Sequence, residues 1–87
     1  IKESSKINPE LIVKPNPFTN HCTFSLHNFD NTEYSLTIFN AQGMVVQKIS
    51  HIMSSEVTIQ KEALPSGFYY YRFENAFTVF SGKLQIQ

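Results

Sequence analysis

A histidine beside a cysteine, His21-Cys22, is the first place in this chain to look for metal or thiolate chemistry. Successive residues of a strand point to opposite faces, so the two side chains cannot bind one ion together. His27 and His51 have no ligand partner at usable spacing. All three histidines therefore read as solvated surface residues, and Cys22 as a small core residue. Asp30 lies between Asn-rich neighbours, where a carboxylate caps backbone donors of a turn. Glu33 and Glu56 fall near strand starts and Glu74 near a strand end, so a general acid and base would have to be assembled from scattered surface positions. Ser66 lacks the Gly-x-Ser-x-Gly surroundings of a nucleophile elbow and reads as a turn serine. No catalytic set, cofactor or metal is expected. The remaining chemistry is aromatic: Phe39, Phe68 and Tyr70 alternate outward and would be the platform of a carbohydrate-binding face, a reading weakened by the absence of tryptophan.

Composition sets what can position these residues. The chain has 87 residues, 41% apolar and 14% aromatic, enough for one domain with one core. Seven Lys and Arg balance seven Asp and Glu, and the cations are scattered, which argues against a nucleic-acid partner. Apolar runs are a few residues long, far short of the roughly 20 needed for a membrane-spanning helix. One cysteine cannot form an internal disulfide. Nothing at Ile1 resembles a signal peptide, and the chain reads as the end of something longer.

Short runs of β-branched and aromatic residues recur about every ten positions, separated by Asn, Asp, Gly, Pro and Ser, as in a sandwich or barrel. Residues 1–10 are polar and aperiodic, the composition of a linker, and order is expected from Leu11. Leu11 to Lys14 forms a first strand, ended by Pro15-Asn16-Pro17 because proline fixes φ and removes a backbone donor. Cys22, Phe24 and Leu26 alternate inward in a second strand, and Tyr34, Leu36 and Ile38 in a third, with residues 28–32 as the hairpin between them. Asn40 to Gly43 makes the next turn, with Gly43 free to take a positive φ. Met44 to Ile49 is a fourth strand, and Val57 and Ile59 anchor a fifth. Leu64-Pro65-Ser66-Gly67 turns the chain into a sixth, Phe68 to Glu74, with Tyr69, Tyr71 and Phe73 inward. Residues 76–87 close the sheet, with Gly82 expected at a bulge or kink and Leu84 and Ile86 inward. The result is an all-β, immunoglobulin-like sandwich of about seven antiparallel strands, with an open barrel as the alternative and without the buried Cys, Trp, Cys pattern of antibody domains.

Four segments carry a resemblance. Val13-Lys14-Pro15-Asn16-Pro17-Phe18 resembles the opening motif of the C-terminal sorting domains (type A) of the type IX, or Por, secretion system, and Leu64 to Phe73 resembles their Leu-Pro-Ser-Gly aromatic segment. Ile38 to Val46 is similar to the family's central turn, and Gly82 to Gln87 to its ending. Lys14 stands where the family usually has tyrosine, Asn40 where it has aspartate, and Met44 where it has a basic residue.

The resemblance implies a domain of residues 11–87 at the end of a larger exported protein of a Bacteroidetes-type bacterium. That protein would pass through the periplasm to the cell surface or beyond. The implied partners are the outer-membrane translocon and shuttle and a sortase that cuts upstream of the folded body. Pro15, Asn16, Pro17, Phe18, Gly43, Leu64, Pro65, Gly67, Tyr69, Tyr71, Lys83, Leu84 and Ile86 are the motif and recognition residues it points to. If Lys83 to Gln87 forms an open sheet edge, a partner can read it by strand addition, two copies can dimerise through an edge, and deleting these residues leaves the sandwich folded. An adhesive or carbohydrate-binding module is the competing reading.

Overall fold

The computed structural model describes residues 9–87. Residues 1–8, where most of the expected linker falls, lie outside the described residues. Seven strands follow in order: β1 Glu10–Lys14, β2 His21–His27, β3 Tyr34–Phe39, β4 Val45–Ile52, β5 Glu56–Gln60, β6 Gly67–Glu74 and β7 Val79–Ile86. They form two antiparallel sheets, β1-β2-β5 and β4-β3-β6-β7. This is the expected immunoglobulin-like sandwich, with β4 paired to β3 on the four-stranded side and not to β5.

Alternation builds the core. Cys22, Phe24 and Leu26 of β2 and Ile59 of β5 face Tyr34, Leu36 and Ile38 of β3, Tyr69 and Phe73 of β6, and Leu84 and Ile86 of β7. The centre is aromatic and spans both sheets. Phe24 lies near-parallel to Phe73 at 6.3 Å and meets Tyr71 edge-on at 5.1 Å, while Tyr34 stacks on Phe73 at 5.0 Å. Burying these rings is what a domain of this size has in place of a disulfide.

Three expectations are corrected. Residues 28–32 are not a hairpin. β2 pairs with β1 and β5, and β3 with β4 and β6, so this segment carries the chain from one sheet to the other. Asn28 and Asn31 take positive φ, and Asp30 Oδ1 accepts from the Thr32 amide and hydroxyl, so the residue types that mark a hairpin turn here shape a crossing. The fourth strand runs to Ile52, not Ile49, because two irregularities in its pairing with β3 place extra residues on β4 and rephase its faces, returning Ile52 to the core. Gly82 is in regular register opposite Tyr71, with no bulge. A Cβ there would lie 2.6 Å from the Tyr71 hydroxyl oxygen, so the glycine lets the ring lie across the β7 backbone on the inner face.

Candidate functional site: the motif-bearing end of the sandwich

The four motif segments, separated by up to tens of residues in sequence, meet at one end of the sandwich. The loop between β1 and β2 does not stay beside its own sheet. It reaches the outer edge of β7, where Asn16 acts as a short surrogate strand: its Nδ2 donates to the Lys83 carbonyl at 2.9 Å, and the Gln85 amide donates to its Oδ1 at 3.0 Å. Phe18 continues the pairing as a parallel bridge to Ile86, its amide donating to the Gln85 carbonyl and its carbonyl accepting from the Gln87 amide. Its ring is buried with Leu84 and Ile86 in the common core. Both prolines, Pro15 and Pro17, follow cis peptide bonds.

β7 is an edge strand, but the outward backbone groups of its C-terminal half are already occupied. Strand addition by a partner at Lys83 to Gln87 is therefore blocked unless the loop withdraws. Leu84 and Ile86 are 1% and 3% exposed, so deleting this segment removes two core side chains, which weighs against the expectation that the domain stays folded without it.

The Leu64 to Tyr69 segment closes the same end. Gly67 takes a φ of 145° and pairs with Ile86. Tyr69 sends its ring into the core and donates its hydroxyl to the Pro65 carbonyl at 2.7 Å. A tyrosine near the start of this strand, bonded back to the connection that precedes it, is the tyrosine corner of immunoglobulin-like sandwiches. The spacing Pro65-x-x-x-Tyr69 carried that signal, and alternation alone assigned Tyr69 only to burial. Beside it, the β3–β4 turn and the β5–β6 loop border a cleft of about 280 Å³ that includes Asn40, Gln42, Leu64 and Pro65. Gly43 takes a φ of 86°, and Asn40 Oδ1 accepts from the Gln42 and Met44 amides at 3.0 and 2.9 Å. Asparagine thus makes the acceptor bonds available to an aspartate there, so this departure from the family pattern leaves the turn intact. Tyr71 stands apart from this end, over Gly82 on the inner face.

The polar side chains do not converge on a reaction centre. Among the described residues no group of three or more His, Cys, Asp or Glu side chains is placed to hold a metal ion. His21, His27 and His51 are exposed, and His51 Nδ1 lies 2.6 Å from Glu33 Oε2 at the surface. The Thr32 hydroxyl bond to Asp30 holds that carboxyl below its ordinary range. Burial pushes the Cys22 thiol up to about 11 and raises the Tyr34 phenol, and burial followed by the nearby Cys22 raises that of Tyr71. These groups keep protons that the unfolded chain releases. The Cys22 contribution to stability is complete below the ordinary thiol value of 9.0 and is lost as pH climbs toward about 11, and those of Tyr34 and Tyr71 are complete below the ordinary phenol value of 10.0 and are lost above it. Urea midpoints should be flat from pH 7 to 8.5 and fall steadily above 9, with Cys22 unreactive to a thiol reagent until the chain unfolds. A midpoint unchanged at pH 11 would contradict this.

The fold is thus an all-β sandwich whose motif loops gather at one end. The family model described as "Secretion system C-terminal sorting domain" matches residues 13–87. The chain belongs to that family, the C-terminal sorting domains of type IX secretion, which is not a class of enzymes. Membership implies export by that system toward the cell surface or outside. No curated protein matches the chain as a relative. Among the described residues no helix is long and apolar enough to cross a membrane.

Proposed function

We propose that this domain addresses a larger exported protein to the type IX machinery. Its cargo reaches the periplasm, the domain is recognised by the outer-membrane translocon and shuttle, the cargo crosses the outer membrane, and a sortase removes the domain by cutting ahead of β1. The observation that carries this reading is the family match over residues 13–87, which takes in every motif segment gathered at one end of the sandwich. Residues 1–10, polar and aperiodic, supply the stretch next to the expected cut, though Glu10 already pairs with His27 as the first residue of β1. Self-association through an open edge fits β4 better than the C-terminal half of β7, since nothing pairs with the outer side of β4 in the sheet order.

A fusion tests it. Residues 1–87 placed behind a fluorescent protein with an N-terminal signal peptide should bring fluorescence to the surface of type IX-competent cells and leave it in the periplasm of a secretion mutant. Periplasmic retention in competent cells would refute the proposal. The second reading, a sugar-binding face, rests on Phe68 and Tyr70, which are 49% and 45% exposed on the outer face of β6. It predicts saturable binding on a glycan array.

A further inference from the structure

Charge is unevenly spread over this neutral chain. Register places Lys48 opposite Thr37, Thr37 opposite Arg72, and Tyr70 between Phe39 and Lys83. Leu36 and Ile38 point inward, so these positions share the outer face of the four-stranded sheet. That face carries Lys48, Arg72 and Lys83, against Glu74 at the end of β6 and Glu33 just ahead of β3. On the other sheet the outward positions of β1 and β5 hold Glu10, Lys14 and Glu56. The positive excess therefore lies on one side of the molecule.

On that side an open groove of about 510 Å³ is lined by Phe39, Tyr70, Arg72, Ser81 and Lys83. Its two cations are held in place by rings. The Arg72 guanidinium lies 5.4 Å from the Phe39 ring centroid, and the Lys83 ammonium 4.9 Å from that of Phe68. Arg72 is paired with Glu74 at 3.7 Å at the surface, whereas no ion pair of Lys83 is seen among the described residues. Two cations fixed on aromatic faces, one of them without a paired carboxylate and the other in a single exposed ion pair that a ligand can exchange, form a pre-organised receptor for carboxylates. The same geometry weighs against sugar stacking, because Phe39 and Phe68 each have a cation over the ring, leaving Tyr70 as the free platform.

We propose that this groove is the surface by which the export machinery reads the domain, and that its occupant is an acidic polypeptide segment whose carboxylates engage Arg72 and Lys83 across Tyr70. The two cations are diagonal neighbours on adjacent strands, about 7–8 Å apart at the backbone, a spacing that carboxylates on alternate residues of an extended segment match. The inference rests on the sorting reading above and names the partner's chemistry. It also moves recognition from the occupied edge of β7 to its outer face, where Lys83 retains the role of supplying charge.

The test is Arg72→Glu with Lys83→Glu in the reporter fusion, beside a control of equal charge change outside the motif segments and the groove, Met53→Glu with Gln60→Glu and Lys61→Glu. The groove variant should deliver at least tenfold less fluorescence to the surface, and the control should match the unmodified domain. If reversal disturbs folding, judged by its thermal melt, Arg72→Gln with Lys83→Gln replaces it and should show the same direction. Equal export by groove variant and unmodified domain overturns this inference while leaving the sorting reading standing. Failure of the unmodified fusion overturns the sorting reading itself. In solution, poly-glutamate should shift the amide resonances of Tyr70, Arg72 and Lys83 in the unmodified domain and not in the groove variant, and salt should weaken the effect. Tighter binding of polygalacturonate than of poly-glutamate would instead make the groove an acidic-glycan site and overturn the proposal.

Discussion

Removing Lys83 to Gln87 should abolish cooperative unfolding. The truncation takes Leu84 and Ile86 from the core, where they are 1% and 3% exposed, and strips β6 of its pairing from Gly67 to Tyr70. Loss of a buried Leu or Ile side chain costs about 2–5 kcal/mol, and a domain of this kind is stable by about 5–15 kcal/mol in all. Two such losses already approach the whole stability. The β1–β2 loop then loses its docking edge as well, since Asn16 and Phe18 bond that strand at Lys83, Gln85 and Gln87. The measurement is urea unfolding followed by circular dichroism: the full chain gives a sigmoidal transition, and residues 1–82 give a sloping line with dye-binding apolar surface. A transition of unchanged midpoint would show that β7 is peripheral. The consequence reaches the sorting question, because a truncation that blocks export by unfolding the domain says nothing about which surface is read. Point changes in outward side chains are the informative experiment.

What the sequence revealed and what it concealed divide along a physical line. Period-two alternation is a local property, and it identified the buried faces of β2, β3, β6 and β7 residue by residue, from Cys22 to Ile86. It did not reveal partners. The same Asn and Asp residues that turn a hairpin also turn a chain between sheets, so the segment after His27 was assigned to the wrong kind of connection. β4 was illegible at its far end because its extra residues break the alternation on which the reading depends. Gly82 signals a bulge or kink in the sequence, and only the position of the Tyr71 ring shows that a close approach is what requires it.

The motif end shows the same division. Pro15-Asn16-Pro17 announced a turn, but its docking on a strand nearly seventy positions away depends on a side-chain amide spanning the gap between Lys83 O and Gln85 N. No local rule encodes that. Sequence reasoning treated the opening and closing motifs as separate features, and the fold makes them one unit: the first covers the edge of the second.

That unit yields the second large effect, a contrast between two neighbouring positions. Phe18→Ala should destabilise the domain by about 3–5 kcal/mol, because it empties a ring-sized space in a core that has no disulfide to compensate. Asn16→Ala should cost only about 1 kcal/mol, since its two bonds are at an exposed position where water can replace them. Its effect lies elsewhere: it bares the Lys83 carbonyl and Gln85 amide on an edge strand, leaving a site for a second copy to pair with. Sedimentation velocity at rising concentration should therefore show self-association in Asn16→Ala beyond that of the unmodified domain, while Phe18→Ala shows itself in the urea midpoint. Equal midpoints for the two variants, or an Asn16→Ala protein that associates no more than the unmodified one, would mean that the loop rests against β7 without holding or protecting it.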